Sequence, residues 1–475
     1  MMVENFIIRS SYLFFLHILG IRLGDLSGFI QMNAGWCFGR SRVWTKKVME
    51  IYVVKAGDTL QGIAERYGVS AERVAYDNNL YGTDLVVGQA LIIAIPELVY
   101  TIQNGDTLQS IADNFGITVL QIVRNNSYLI NESFLLPGRQ IVISYIEESV
   151  DSTGNQRREM DVFGYAYGFI RDDILEESCL YIQELLPFSY GYNADGTLIP
   201  MNDERLLAEA NRFGLRKRMV LTPLDSNERF NNQLVVMVLS DTSMRNQLIE
   251  NVLQTMDSKG YQALDIDFEF IPAEFRDAYV AFISEVREVL APNGYQVSVA
   301  LPPKISDDQQ GLLYEGIDYA GIGNVADTVF LMTYEWGYKF GPPMAIAPIP
   351  SVRRVLDYAK SVIPREKIDM GIPNYAYDWP LPYERGITEA ETIGNVDAVQ
   401  RALRYGAQIQ YDEVAQAPFF YYTLDGVEHV VWFEDVRSIA AKYNLITEYG
   451  LRGGGYWNLM REFRQNWMYL NLITR

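Results

Sequence analysis

The stretch Ala263-Leu264-Asp265-Ile266-Asp267-Phe268-Glu269-Phe270 decides how the rest of the chain is read. Side chains of an extended strand alternate between its two faces, so Asp265, Asp267 and Glu269 fall on one side and Leu264, Ile266, Phe268 and Phe270 on the other. Three acids opposite four large apolar groups fit a barrel strand, with carboxylates facing the interior and apolar side chains meeting surrounding helices. Like charges in such a place are costly unless protons are shared, and repulsion with partial burial raises the pKa of one member. Glu269, at the C-terminal end of the strand where barrel active sites lie, is the natural proton donor, and Asp267 its natural partner. The competing reading is a buried charge cluster or metal site; unpaired carboxylates are seldom buried together.

Working outward, short apolar segments alternate with helical patterns from about residue 160, which argues for βα units and a parallel sheet. Besides the quoted stretch, the candidate strands are Phe163 to Tyr167, Tyr181 to Leu186, Arg218 to Thr222, Gln296 to Leu301, Thr328 to Tyr334, Asp369 to Ile372 and Gly454 to Trp457. Eight strands predict a (β/α)8 TIM barrel, and about 300 residues against a typical length of about 250 predict an insertion.

Upstream, Tyr52-Val53-Val54-Lys55-Ala56-Gly57-Asp58-Thr59-Leu60-Gln61-Gly62-Ile63-Ala64 returns 48 positions later as Tyr100-Thr101-Ile102-Gln103-Asn104-Gly105-Asp106-Thr107-Leu108-Gln109-Ser110-Ile111-Ala112. The same offset links Gly68 with Gly116 and Asn78 with Asn126, while Gly88 and Gly138 differ by 50, a two-residue insertion before the last strand of the second copy. Each copy reads strand, helix, helix, strand, with Asp58 or Asp106 before the first helix and a Gly ending it.

These motifs carry two resemblances. The Gly-Asp-Thr-Leu core with matching Gly, Asn and closing strand resembles the LysM domain, a βααβ module that binds N-acetylglucosamine glycans. The resemblance implies a groove lined by Gly57, Asp58, Thr59 and Leu85 to Gly88, and by Gly105, Asp106, Thr107 and Leu135 to Gly138. Asp58 and Asp106 are read as helix caps, leaving backbone groups of the loops to bind. Two weak modules on one chain are expected to raise avidity for a repeating polymer.

The quoted strand resembles the signature of glycoside hydrolase family 18, Asp-Gly-x-Asp-x-Asp-x-Glu, at the end of the fourth barrel strand. Asp265, Asp267 and Glu269 match, while Gln262 and Ala263 replace the first Asp and Gly. Met332-Thr333-Tyr334-Glu335 resembles the family's Met-x-Tyr-Asp, with Glu335 for Asp, and Trp457 resembles the Trp that floors the sugar site. Residues 376–445, with Tyr411-Asp412-Glu413 and Phe419-Phe420-Tyr421-Tyr422, resemble the family's small α+β insertion.

The resemblance implies catalysis by Glu269, Asp267, Asp265 and Tyr334 and substrate binding by Trp457, Glu335, Trp336 and Tyr165. It also implies a substrate-assisted retaining reaction, in which the 2-acetamido oxygen attacks the anomeric carbon, with no metal and no cofactor. Asp265 is expected to help hold Asp267. The resulting division is an unfolded leader over 1–48, LysM domains over 50–96 and 98–145, and the barrel over 158–472 with its insertion at about 376–445. The combination resembles bacterial spore-cortex lytic N-acetylglucosaminidases, which implies peptidoglycan as partner and a place in the spore coat, cortex or cell wall. The alternatives are a chitinase or a non-catalytic glycan-binding coat protein.

Composition narrows the classes further. Forty basic against sixty acidic residues give a formal charge of −20, which argues against capture of nucleic acid or an anionic membrane. Only two histidines, His17 and His429, argue against a catalytic zinc site or a His-dependent nucleophile, so carboxylates are expected to carry the acid–base work. His429 sits in a patterned run and reads as a strand residue. Cys37 and Cys179 imply no disulfide framework, and a monomer is expected. The first 48 residues carry six basic and two acidic side chains. Their apolar run from Tyr12 to Ile21, broken by His17, falls short of the roughly 20 residues that span a bilayer. No small-x-small cleavage site follows, so Met49 is the expected working start, without a signal peptide.

Overall fold

In the first repeat, β1 (Met49–Val53) and β2 (Ala90–Ala94) pair antiparallel around α1 (Leu60–Tyr67) and α2 (Ala71–Asp77). The second repeats the pattern with β3 (Pro96–Thr101), α3 (Leu108–Phe115), α4 (Val119–Asn125) and β4 (Gln140–Tyr145). This computed structural model describes residues 49–145, 159–227 and 229–474, and the leader expected over 1–48 lies outside them.

The repeated residues explain the repeated fold. Asn126 donates to the Ile122 and Val142 carbonyls at 2.8 and 2.7 Å and accepts from the Val142 N–H at 2.9 Å, tying the second helix to the last strand. Asn78 makes the same three bonds to Val74 and Ile92. The helix caps expected at Asp58 and Asp106 belong instead to the next residue: Thr59 accepts from the Gly62 N–H and Thr107 from the Ser110 N–H. The aspartates are already engaged, because Asp58 accepts from the Tyr52 hydroxyl at 2.6 Å and the Lys55 N–H at 2.8 Å. Asp106 does the same with Tyr100 and Gln103. Each carboxylate braces the turn after its strand.

The next strands are β5 (Asp161–Ala166), β6 (Glu184–Pro187), β7 (Arg216–Leu221), β8 (Ala263–Ile266), β9 (Gln296–Leu301), β10 (Thr328–Leu331) and β11 (Ile368–Pro373). The insertion follows, an antiparallel sheet of β12 (Ala376–Pro380), β13 (Glu391–Ile393), β14 (Gln410–Asp412), β15 (Ala417–Leu424) and β16 (Val427–Trp432), in the order β13-β12-β16-β15-β14. His429 lies in β16, its Nδ1 2.8 Å from Asp378 Oδ1. Finally β17 (Gly453–Trp457) returns between β11 and β5 and closes the expected eight-stranded parallel barrel. Closure requires the glycines of β17: a Cβ at Gly453 would lie 1.7 Å from the Asp161 carbonyl, and one at Gly455 2.2 Å from the Phe163 ring.

The lower barrel is filled by ions rather than by apolar groups alone. Arg218 donates to Glu184 at 2.8 Å, and Arg452 bridges Asp369 at 2.6 Å and Glu184 at 3.2 Å. Removing one member leaves its partners charged and desolvated, so Arg218→Met is expected to lower the free energy of unfolding by about 3–5 kcal/mol. Denaturant unfolding followed by tryptophan fluorescence measures this, and a loss below about 1 kcal/mol would mean the cluster is dispensable.

Candidate active site

Strand β8 stops at Ile266, four residues earlier than the alternation predicts. The pattern of faces nevertheless continues through Glu269, with Phe268 buried beneath Tyr192, Tyr279 and Phe282. It breaks at Phe270, which takes a left-handed φ of 56° and lines the cleft instead of facing the helices. A turn at the strand end, which period-two reasoning does not contain, redirects that ring.

Asp267, Glu269 and Tyr334 face a cleft of about 550 Å³ at the C-terminal mouth of the barrel, walled by Tyr165, Tyr167, Phe188, Met332 and Trp457. The Trp457 ring stands edge-on to Phe188, with centroids 4.8 Å apart. Its face is thereby fixed by packing before any ligand arrives.

Burial dominates the electrostatics. Asp267 is 6% exposed and its Oδ1 has no hydrogen-bond partner. Its carboxyl is pushed well above the usual range, first by desolvation, then by the charges of Glu269 and Asp265. Glu269, nearer the mouth, is raised by desolvation and then by the Glu335 charge. The two carboxyls therefore hold a proton between them at a pH where isolated acids would have lost both. Burial also raises the Tyr334 phenol, so it stays a neutral donor.

Asp265 is fully buried beneath the cleft. It accepts from the Tyr165 hydroxyl at 2.7 Å. Tyr165 thus contributes a ring to the wall while its oxygen is committed below. Glu335 lines the cleft at a φ of 68°, accepting from the hydroxyls of Tyr375 and, at 2.9 Å, Tyr377. Trp336 does not line the cleft. It packs on the core, and its backbone N–H donates to the Ile346 carbonyl at 3.0 Å, because the left-handed residue before it turns the chain away.

Tyr375 and Tyr377 escape the sequence reading. Their period-two spacing just past the seventh strand is the signal that could have found them. Among the described residues, no group of His, Cys, Asp and Glu side chains is placed to hold a metal ion. The assembled groups can protonate a leaving oxygen from Glu269 and stabilise positive charge beside Asp267.

Replacing Glu335 by Gln removes a like charge from beside Glu269, so the pKa of Glu269 falls and the loss of its proton moves to lower pH. The basic limb of the kcat profile is expected to shift down by roughly 0.5–1 pH unit. An unmoved or raised limb would mean that Glu335 does not act on Glu269 through its charge.

The Glycosyl hydrolases family 18 model matches residues 231–462, and the LysM domain model matches residues 52–94 and 100–144. The Cortical fragment-lytic enzyme of Bacillus subtilis (strain 168) is 40% identical over 433 residues, covering 89% of this chain and 97% of that protein. The Putative sporulation-specific glycosylase YdhD of the same organism is 33% identical over 429 residues, covering 90% of this chain and 99% of its own. The crystal structure of the Bacillus megaterium QM B1551 spore cortex-lytic enzyme SleL is similar with a TM-score of 0.74 at 35% identity, over 90% of this chain and 99% of that one.

Proposed function

The chain belongs to the glycosyl hydrolases of family 18, and from that membership we propose that it cleaves β-1,4 bonds after N-acetylglucosamine in spore-cortex peptidoglycan. The LysM region, with repeats over 50–96 and 98–145, tethers the chain to glycan while the barrel over 158–472, with its insertion at about 376–445, hydrolyses it. Its place is the spore cortex or cell wall; among the described residues no helix is long and apolar enough to cross a membrane.

The observation that carries the reading is the Asp267 carboxylate, buried at the cleft with an unpartnered oxygen. Leaving a buried acceptor unpaired is costly, and the N–H of a 2-acetamido group is a donor of the right kind. On this reading Tyr334 donates to the acetamido oxygen as that oxygen attacks the anomeric carbon. The bond to the leaving oxygen breaks, and the Glu269 proton passes to it. Asp267 balances the positive charge of the oxazolinium ring. Water then adds to the anomeric carbon as its bond to the acetamido oxygen breaks and the acetamido group is restored, Glu269 takes the water's proton, and the β configuration is kept.

Digesting defined cortical fragments and weighing the products tests this. New reducing ends are expected on N-acetylglucosamine, and fragments lacking the N-acetyl group at that sugar are expected to resist. Reducing ends on the muramic residue, or faster cleavage of chitin oligomers than of cortical fragments, would reject the reading.

A further inference from the structure

The two LysM repeats share a fold but not their surroundings. In the second, the loop from Leu136 to Arg139 is exposed, Leu136 to 53%, and a Cβ added at Gly138 would meet nothing within 4 Å. In the first, the matching loop is pressed into the barrel's insertion. Val86 is 4% exposed and shares an apolar cluster with Ile393, Phe420 and Val431. The Ile409 N–H donates to the Val87 carbonyl at 2.9 Å, and Arg437 donates to the Gly88 carbonyl at 3.3 Å. A Cβ at Gly88 would lie 1.8 Å from the Ile409 carbonyl oxygen, so only glycine permits this approach.

Two carbonyls of this loop, those of Val87 and Gly88, are thus bonded to the insertion and the helix after it. The attachment continues away from the loop: Gln465 donates to Asn78 and to the Ala90 carbonyl at 2.9 and 2.8 Å, and Asn79 donates to Glu462 at 2.8 Å. The second repeat meets the barrel through its helical side instead, where Ser127 donates to Glu177 at 2.7 Å and Asn471 donates to Asn125 at 2.9 Å. Its loops stay clear.

We propose that the second repeat alone captures N-acetylglucosamine glycan, between Gly105 to Thr107 and Leu135 to Gly138, and that the first is an intramolecular bracket whose binding loop is occupied by the insertion. The proposal rests on the reading of these loops as the glycan groove. It replaces two equivalent tethers by one, held at a fixed place relative to the catalytic cleft, so avidity between repeats on one chain does not arise.

Matched substitutions test it. Ala56 and Asn104 are equivalent, exposed loop positions preceding Gly57 and Gly105. In the full chain carrying Glu269→Gln, co-sedimentation with purified insoluble cortex peptidoglycan is measured for Ala56→Glu, Asn104→Glu and Leu136→Glu, with melting temperatures confirming the fold. Asn104→Glu and Leu136→Glu are each expected to raise the apparent Kd about tenfold or more, and Ala56→Glu to change it less than about twofold. An equal loss in Ala56→Glu would overturn the single-tether proposal while leaving glycan binding by the repeats intact. No loss in any of the three would overturn both.

Discussion

Glu269→Gln is expected to lower turnover of cortical fragments by roughly 10²–10⁴-fold while leaving glycan binding in place. Gln fills the same space at the mouth of the cleft and keeps its hydrogen-bonding length. It has no acidic proton to give the leaving oxygen and cannot take one from the attacking water, so both halves of the proposed reaction lose their acid–base partner. The wild-type side chain suits the task because burial, reinforced by the Glu335 charge, raises its pKa. It therefore keeps its proton closer to neutral pH than an exposed glutamate does. Initial rates of reducing-end release, compared with sedimentation on the same glycan, separate the two properties. Turnover within a few-fold of wild type would remove Glu269 from the reaction.

Asp267→Asn is the second large effect. In the proposed reaction the carboxylate, only 6% exposed, faces the position where positive charge develops, and preorganised buried charges lose little to screening. Its replacement by a neutral amide is expected to cost roughly 10²–10³-fold in kcat with little change in KM. The same substitution should stabilise the fold. The carboxyl has a folded-state pKa raised well above its ordinary value by burial and by neighbouring acids. The folded state therefore holds the proton more tightly than the unfolded one, and the aspartate's penalty grows as pH rises through the ordinary carboxylate range. Asn carries no such penalty, so the melting temperature of the variant should exceed wild type at pH 8 and converge with it near pH 4. A variant that is less stable at pH 8, or one that retains full kcat, would contradict this account of Asp267.

Both effects trace to a segment whose chemistry is local. From residue 263 to 269, a period of two places the acids on one face although the strand itself ends at Ile266, with a last backbone bond from the Asp267 N–H to the Leu221 carbonyl at 3.0 Å. Phe270 departs because a single left-handed residue resets the alternation, and the sequence around it carries no glycine to mark the turn. The helix caps fall one residue later than the sequence predicts for a similar reason. Asp and Thr both cap helices, and the choice depends on Tyr52 and Tyr100 reaching across the turn to occupy the aspartates.

Features arising from contact between distant segments were harder to read. Glu335 owes its setting to Tyr375 and Tyr377, some forty residues on, and Trp336 is turned into the core by a backbone conformation rather than by its own character. The repeats differ most sharply here. By sequence they share the same Gly-Asp-Thr-Leu core and the same order of elements, and nothing in Val86-Val87-Gly88 announces that Ile409 will lie against it.

The sequence by itself determined the repeated modules, the eight strands and the face on which Asp265, Asp267 and Glu269 stand, because periodicity and short-range hydrogen bonding act within a few residues. Only the tertiary structure decided which rings wall the cleft, which acid bonds to which tyrosine, and which repeat keeps its loops free. Those outcomes depend on excluded volume and desolvation between segments tens to hundreds of residues apart, and a residue's own neighbours in the chain carry no record of them.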